Sequence, residues 1–443
     1  MNKKLTNKKK DPELRLLVDD FLQAFHDAAA QTQDDALRIF ESGGFSAFPG
    51  AIVELTDDVT DNLTKLALRA ATLLGAKAGH EKALRDIAMK QAQESLLNNV
   101  GPRAAATALI DKLFEEGSTK FQFLVPNYLI VFEENVRSVE IGRVRAMMTE
   151  DFAAELSKTP HTKVQVIADQ GFSAAFVAGG ARVAMHPHCW VVSVDAAKEN
   201  VDEEAKWLID IAVSFLRLHY AQATVRFPGL GTVEPHPLRP ADIHNIGVKI
   251  SEGMISLGGG SVPPAYEVGN VIKTLTQEPR FCTTAKVIFD PPEKSLAERV
   301  SQGLGWLTRG RQAKDRAERL LYFFTAIESL LSSDDKTAPV VQNIARHAAV
   351  LLTNDNAARA KLAADLKKLY ALRSALVHAG SRAVLWNNAN TTENLAEAMF
   401  SRVFQEADLG SSHAKFIEVL SKASYGLPWP VPAGSLPESD QNE

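Results

Sequence analysis

The chain has few cysteines and no long apolar run, and these two absences exclude several classes of protein. Only two of its 443 residues are cysteines, Cys189 and Cys282, and they lie in separate segments without paired spacing. Neither a disulfide framework nor a zinc knuckle is therefore indicated, and we expect a reducing, cytoplasmic location. No apolar run reaches the roughly 18 residues that a membrane span needs, so no membrane partner is expected. Residues 1–10 are rich in lysine but lack the apolar stretch of a secretory signal.

The chain also lacks an excess of positive charge. Its formal net charge is −5 and its pI is about 6.2, whereas a protein that coats nucleic acid is usually basic. Nucleic acid is thus expected only as the ligand of a local site. One stretch is locally basic, and a solvated helix face is the favoured interpretation over an RNA track; its cations are Arg299, Arg309, Arg311, Lys314, Arg316 and Arg319.

The order of patterns along the chain predicts a multi-domain α+β protein. Residues 1–118 form an N-terminal helical region, helical from residue 11 onward. Residues 119–290 form a central, β-containing α+β domain of sensing or regulatory type. Residues 291–427 form an all-α bundle, and residues 428–443 form a Pro-rich tail.

Individual elements are predicted from hydrophobic period and from capping residues. Strands are expected at residues 121–125, 128–132, 139–144, 163–167, 189–194 and 285–289, with an irregular stretch at 226–267. Helices are expected at residues 202–220, 319–331, 340–352, 354–378, 393–408 and 413–424. Thr391 or Thr392 and Ser412 are the expected N-caps of the last two helices, and Gly380 is the expected stop of the helix before them.

The helix predicted at residues 354–378 carries a cation on its apolar face. Spacings of four, three, four and three residues align Leu362, Leu366, Leu369, Arg373 and Leu376. A guanidinium on such a face is costly unless it is paired or used.

His378 follows Arg373 by five residues. In an ideal helix this spacing places the two side chains about 140° apart with about 7.5 Å of rise, so they do not form a pair on one face. Tyr370, Ser374 and His378 do share a face, at spacings of four. A twofold dimer, in which two copies of the segment meet, would bring the Arg and His side chains into one cleft.

Arginine and histidine together suit metal-free cleavage of RNA. The 2′-hydroxyl attacks the adjacent phosphorus, a base removes its proton, and an acid protonates the leaving 5′-oxygen. Histidine can act as acid or base because its reference pKa of about 6.5 lies near working pH. Arginine stays charged and offers a planar fork to two phosphate oxygens. The products would carry a 2′,3′-cyclic phosphate and a 5′-hydroxyl.

The C-terminal motifs resemble the Apea-like branch of the HEPN superfamily. The resemblance rests on residues 326–331 around Glu328, on residues 344–352, and on residues 369–380 around Arg373 and His378. It covers residues 316–383 well and residues 384–426 more loosely. The family motif is an arginine, a polar residue, a short spacer and a histidine.

The resemblance implies an all-α HEPN bundle and a metal-independent endoribonuclease without metal or cofactor. It implies a homodimer formed through the bundle and a role in phage defence (abortive infection) or in a toxin system. Arg373, Ser374 and His378 are the implied catalytic residues; Ser374 stands where many active relatives carry Asn, Asp or His. We expect Glu328 and Tyr370 to support them and Arg346 to contact RNA. The regions before the bundle, which lack a catalytic constellation, are expected to sense a phage or host trigger.

Structural interpretations of the same residues stay open. Arg373 could pair with Glu328 and hold the bundle together, His378 could favour the helix dipole, and Tyr370 could belong to the core. A structural role is favoured for Arg346 and His347. The rival function is accordingly a non-catalytic HEPN module that dimerises and binds RNA or protein.

Three further patterns are given little weight. His186, His188 and Cys189 invite a metal site, but no second ligand cluster follows, and a strand-entry loop is favoured. The glycines at 258–260 are not followed by the Lys-Ser/Thr of a phosphate loop. A second Arg/His pair, Arg239 and His244, lies in a loop-like context.

Overall fold

The protein, described by a computed structural model, is mixed α+β. The structure describes residues 8–49, 51–75, 79–117, 119–127, 130–133, 135–158, 163–165, 174–178, 181–220, 248–251, 254–257, 266–313, 315–333, 339–427 and 429–430. Among these residues, no helix is both long and apolar enough to cross a membrane. The chain divides into two compact units, residues 1–123 with 193–205, and residues 124–192 with 206–443.

Among the described residues, five helices and a hairpin lie within the first unit. The helices are α1 (Pro12–Asp27), α2 (Gln33–Ser42), α3 (Asp57–Leu74), α4 (Glu81–Leu97) and α5 (Pro102–Glu116). Asp11 caps the first of them, accepting the Leu14 N–H at 2.8 Å, and Pro12 occupies the first helical position, where no N–H is needed. The apolar face of α1, with Leu14, Phe21 and Phe25, packs into a core shared with α3, α4 and α5.

A β-hairpin interrupts the helical region that was predicted for residues 11–117. Its strands are β1 (Phe45–Phe48) and β2 (Ala51–Glu54), and Phe45 pairs with Glu54. Gly43 ends α2 at a φ of 79°, which only glycine adopts without strain. Four-residue runs on either side of Pro49 are too short to show a period, so these strands could not be predicted from the sequence.

A four-stranded sheet is built from strands in the middle of the chain. Its strands are β3 (Thr119–Pro126), β5 (Ser138–Ile141), β6 (Val144–Met148) and β10 (His188–Ala196), in the order β3-β10-β6-β5. The shorter strands are β4 (Ile130–Phe132), β7 (Lys163–Gln165), β8 (Ala174–Ala178), β9 (Ala181–Met185), β11 (Val248–Ser251), β12 (Met254–Leu257) and β13 (Tyr266–Val268). Of these, β7-β8-β9 and β11-β12 are antiparallel, and β13 pairs with β4 in parallel.

The helices around this sheet are α6 (Thr149–Leu156), α7 (Val201–His219), α8 (Asn270–Gln277) and α9 (Pro279–Phe289). The strand predicted at residues 285–289 was wrong, because this segment is the end of α9. Pro279 starts the helix at its first position, and Phe281, Ala285 and Ile288 are buried at helical spacing. A five-residue apolar run fits the period of a strand and that of a helix, and the residues before it decide which structure forms.

Six helices follow: α10 (Leu296–Gln312), α11 (Arg316–Leu331), α12 (Val340–Leu352), α13 (Asn356–Ala379), α14 (Trp386–Glu406) and α15 (His413–Ala423). Helix α11 packs against α10, α13 and α14, while α12 packs against α13 and α15. These bounds agree closely with the helices predicted at 319–331, 340–352, 354–378 and 413–424.

The ends of these helices follow their capping chemistry. Gly380 ends α13 at a φ of 63°, as predicted, and the Ser412 side chain caps α15. The N-cap predicted at Thr391 or Thr392 was wrong, because α14 begins at Trp386. There the Asn388 side chain accepts the N–H of Leu385 at 3.0 Å, which satisfies a donor at the helix start.

Several predicted features fall outside the described residues. They are Arg239 and His244, the glycines at 258–260, Lys314, and all but two residues of the Pro-rich tail. Most of the irregular stretch at 226–267 lies outside them as well.

Candidate functional site

The candidate site is formed where α13 lies beside α11. Glu328 lies one turn before the end of α11, and Tyr370 and Arg373 lie in the second half of α13. The apolar residues of the two helices, among them Ile327, Leu366 and Leu369, are buried and hold the helices in register. Tyr370 and Arg373 are three residues apart and so project toward the same neighbouring helix.

The Glu328 carboxylate joins the two side chains of α13. One of its oxygens accepts the Tyr370 hydroxyl at 2.6 Å, and the other accepts Nη2 of Arg373 at 3.0 Å. The Arg373 guanidinium also lies 5.4 Å from the centre of the Tyr370 ring, within the range of a cation–π contact. Two partners thus restrain the guanidinium, and the pairing of Arg373 with Glu328, which the sequence left open, is present.

Burial and hydrogen bonding change the electrostatics of this triad. Burial, together with the bond to Glu328, raises the pKa of Tyr370 to about 12, so the phenol is a neutral donor at physiological pH. Arg373 keeps 20 % of its side chain exposed and Glu328 keeps 19 %. The buried Nε–H of Arg373 has no acceptor among the described residues. The exposed fifth of the Arg373 side chain is therefore the part that remains for another acceptor, since the Nε–H is itself buried.

His378 lies in the last turn of α13 and is exposed, while Ser374 is half-buried. Arg373 points to α11 through its bond to Glu328, so the structure does not place it with His378 as a tight pair in one chain. This agrees with the separation that helical geometry predicts. His378 has exposed apolar neighbours near it in sequence, namely Val377, Leu385 and Trp386.

Comparison of the chain with protein-family models, curated proteins and solved structures found no match.

Arg346 lies on α12 and has structural contacts. Its Nη2 donates to the Asn343 side chain at 3.1 Å, and its guanidinium lies 6.0 Å from the Tyr425 ring. The adjacent His347 is 2 % exposed and bonds the Ser421 hydroxyl through Nε2 at 2.9 Å, joining α12 to α15. Burial lowers the pKa of His347 to about 4, so it is neutral at physiological pH. Both contacts fit the structural interpretation of this pair.

A buried charge cluster, which the sequence did not predict, lies around the end of α10. Arg311 donates to Glu397 and to Ser214, each at 2.9 Å, and Arg319 donates to Glu393 at 2.7 Å. Asp210 of α7 accepts from Arg309 at 3.0 Å and from Gln312 at 3.1 Å. These arginines belong to the basic stretch for which a solvated face was favoured.

That interpretation was wrong for Arg311 and Arg319, which are each 2 % exposed. Their acidic partners lie about 80 residues further along the chain, so no local spacing could reveal them. Burial also raises the pKa of Asp210 to about 6, against the opposing effect of Gln312 and Arg309. The cluster therefore joins α7, α10, α11 and α14 inside the bundle.

The segment with His186, His188 and Cys189 forms the entry to β10. Nδ1 of His186 accepts the N–H of His188 at 3.2 Å, and the two rings lie 5.5 Å apart. Burial lowers the pKa of His188 to about 4, and it raises the pKa of the Cys189 thiol to about 11. These values describe a neutral imidazole and a neutral thiol beside a strand, in line with the strand-entry interpretation.

Proposed function

We propose that the protein is a HEPN-type, metal-independent RNA endonuclease that acts in the cytoplasm in defence against phage. Arg373 binds the scissile phosphate and stabilises the charge that develops on it. His378 transfers the proton to or from the reacting oxygens, and Ser374 orients the phosphate or the imidazole. The observation that carries the proposal is the partly exposed guanidinium of Arg373, which lies five residues before the exposed His378 on the same helix.

The restraint on Arg373 supports this role. Glu328 and Tyr370 fix the guanidinium from two sides, and 20 % of the Arg373 side chain stays exposed. A donor that is already oriented needs little reorganisation when negative charge develops, and removing one such donor typically costs about 2.7–4 kcal/mol of transition-state stabilisation. Glu328 and Tyr370 are therefore positioning residues in this proposal.

The mechanism needs two copies of the chain. Arg373 and His378 point in different directions on α13, and a twofold axis along this segment would present the Arg of one copy beside the His of the other. Val377, Leu385 and Trp386 are 48 %, 69 % and 50 % exposed, and burial of such side chains favours association. We therefore propose a homodimer formed through the ends of α13 and α14.

The ion pair between Arg373 and Glu328 also favours a second candidate. If its only role is to hold α13 on α11, the bundle is a non-catalytic module that dimerises and binds RNA or a protein. In that case the exposed His378 has no chemical task, and RNA would be retained without being cut.

A cleavage assay separates the two candidates. Purified full-length protein is incubated with structured RNA in EDTA, and wild type is compared with Arg373→Ala and His378→Ala. The nuclease predicts products with 2′,3′-cyclic phosphate ends and a loss of at least 100-fold in each variant, the usual lower range for an acid–base group. Lys368→Ala, an exposed position on the same helix, is the matched control and should keep full activity. Cutting that persists in both site variants would refute the nuclease.

The defence role needs a test in cells. Bacteria carrying the wild-type chain or His378→Ala are infected with a panel of phages at low multiplicity. The proposal predicts that phage yield falls only with wild type, and that infected cells stop growing. Equal phage yields with the two chains across the panel would refute the defence role and leave the cleavage assay to judge the chemistry.

A further inference from the structure

A concave site that includes none of the residues of the Arg373 triad lies in the second unit. Helices α8 and α9 form one wall, and the β5–β6 hairpin forms the other. The cavity measures about 660 Å³, which falls within the range of roughly 300–1,000 Å³ typical of small-molecule sites.

The hairpin is closely fitted to α9. Gly142 has a φ of 61°, and a Cβ at this position would overlap the Phe289 ring, so only glycine allows this approach. Phe281 and Phe289 are almost fully buried beneath the cleft. The floor is therefore rigid and apolar, and the polar groups stand around it.

Four cations line the cleft, against two acidic side chains. They are Arg143, Arg145, Lys273 and Lys286, and the acids are Glu140 and Asp290. Arg143 pairs with Asp290, and Arg145 makes a two-pronged pair with Glu155 at 2.9 and 2.7 Å. Both pairs are substantially exposed, and such pairs exchange partners at little cost.

The two lysines are the available charges of the cleft. Within the part of the chain that the structure describes, neither ammonium group of Lys273 or Lys286 has an ion-pair partner. The two residues come from different helices, and both line the same cavity. Exposed lysines are common on protein surfaces. Here, however, two of them line a cleft with a buried apolar floor, beside Arg143 and Arg145, whose ion pairs can exchange partners.

This arrangement suits a small anion with more than one negative charge. Lysine acts as a point charge for phosphate, and arginine can add two parallel hydrogen bonds. A cavity of this size holds one phosphorylated small molecule, and its cations converge on the cavity instead of tracking along a strand. The geometry points to a binding site for a small molecule that carries two or more phosphates, contacted by Lys273, Lys286 and Arg143. This site is independent of the proposed nuclease.

Calorimetric titration of the full-length protein tests the site. The probes are inorganic pyrophosphate, ATP and fructose 1,6-bisphosphate, all without divalent cations. We expect binding of at least one probe in the micromolar range and a loss of at least tenfold in affinity in the double variant Lys273→Gln/Lys286→Gln. The control is Lys361→Gln/Lys415→Gln, which removes the same charge from two exposed positions on α13 and α15 and should bind as wild type does.

The probes also identify the part of the ligand that is recognised. Equal affinities for the three probes support recognition of phosphate alone, whereas tighter binding of ATP or of the sugar phosphate supports added contacts to the organic part. The site is refuted if wild type binds none of the probes at 1 mM (roughly the weakest affinity of interest), or if the cleft and control variants bind alike. A single-stranded RNA is titrated as a fourth probe, and the site is also refuted if RNA alone binds in a lysine-dependent way, since the cleft would then be an RNA track. Cleavage activity of the cleft variant, measured in parallel, reports separately on the proposed nuclease.

Discussion

The second unit contains two sets of arginine–glutamate pairs with the same chemistry and different depths. In the buried cluster, the side chains of Arg311, Arg319 and Glu393 are 2 %, 3 % and 6 % exposed. In the candidate site, Arg373 and Glu328 are 20 % and 19 % exposed. A charge without water needs every one of its partners, whereas a charge at the surface can exchange a partner for a ligand. Depth therefore distinguishes the fully buried arginines, which hold helices together, from Arg373, whose partly exposed side chain leaves room for the proposed phosphate contact.

The largest effect is expected from breaking the buried cluster. Glu393→Ala would leave Arg319 in the interior without its carboxylate, and removing one member of a buried pair typically costs about 3–5 kcal/mol of the free energy of unfolding. Urea denaturation measures this loss. Glu418→Ala, at an exposed pair with Lys422, is the control and should leave the free energy of unfolding nearly unchanged. A similarly small loss of the free energy of unfolding in Glu393→Ala would contradict the distinction between the buried cluster and the more exposed Arg373–Glu328 pair.

Burial of His347 is also expected to make the free energy of unfolding depend on pH. His347 is buried with a pKa of about 4, while an unfolded histidine titrates near 6.5. The unfolded state therefore binds the proton first, and stability is lost as the pH falls from about 6.5 to 4, by an amount on the order of 3 kcal/mol.

Unfolding curves at pH 7.5 and pH 5 should show a smaller acid loss in His347→Gln than in wild type. An unchanged acid loss in His347→Gln would mean that other groups, such as His188, carry the dependence.

A smaller effect is expected from Glu328→Gln. The amide oxygen can still accept the Tyr370 hydroxyl, and the partly exposed pair with Arg373 should contribute less than a fully buried pair, for which loss of one partner typically costs about 3–5 kcal/mol. The same denaturation experiment, with Glu393→Gln alongside, compares the two depths directly. A loss above about 3 kcal/mol in Glu328→Gln would show that the Arg373 pair is structural and would favour the scaffold function.

The smallest effect is expected from His378→Ala. The imidazole is exposed in the last turn of α13, so its stability effect should stay within about 0.5 kcal/mol, the usual range for a surface substitution. Thermal unfolding provides the measurement. A larger loss would mean that this side chain has a packing role, and any loss of RNA cleavage in the variant would then need a folding control.

Local chemistry predicted the helices of the C-terminal half well. Gly380 and Ser412 have the capping roles that their residue types predict, because a cap depends on a few neighbouring residues. The strand predicted at residues 285–289 failed because a five-residue apolar run has no distinct period. The N-cap predicted at Thr392 failed because α14 begins earlier, where the Asn388 side chain satisfies the N–H of Leu385.

The sequence predicted the residues of the candidate site better than it predicted the contacts between them. Helical spacing predicted that Arg373 faces its own apolar stripe and that His378 points elsewhere. It could not show that the Tyr370 hydroxyl and Arg373 share one carboxylate, since Glu328 lies about 45 residues away on another helix. The catalytic roles of Arg373, Ser374 and His378 stay a prediction until RNA cleavage is measured.

The sequence alone determined the helical periods, the caps and the position of a cation on an apolar face, because each of these depends on residues within a few turns. Tertiary structure decided which charges are buried. Arg311 and Arg319 lie in the same basic stretch as half-exposed Arg309, and only the acidic side chains that α14 brings to them make their burial tolerable. Desolvation depends on every element packed around a group, and so it cannot be read from the neighbours of that group in the chain.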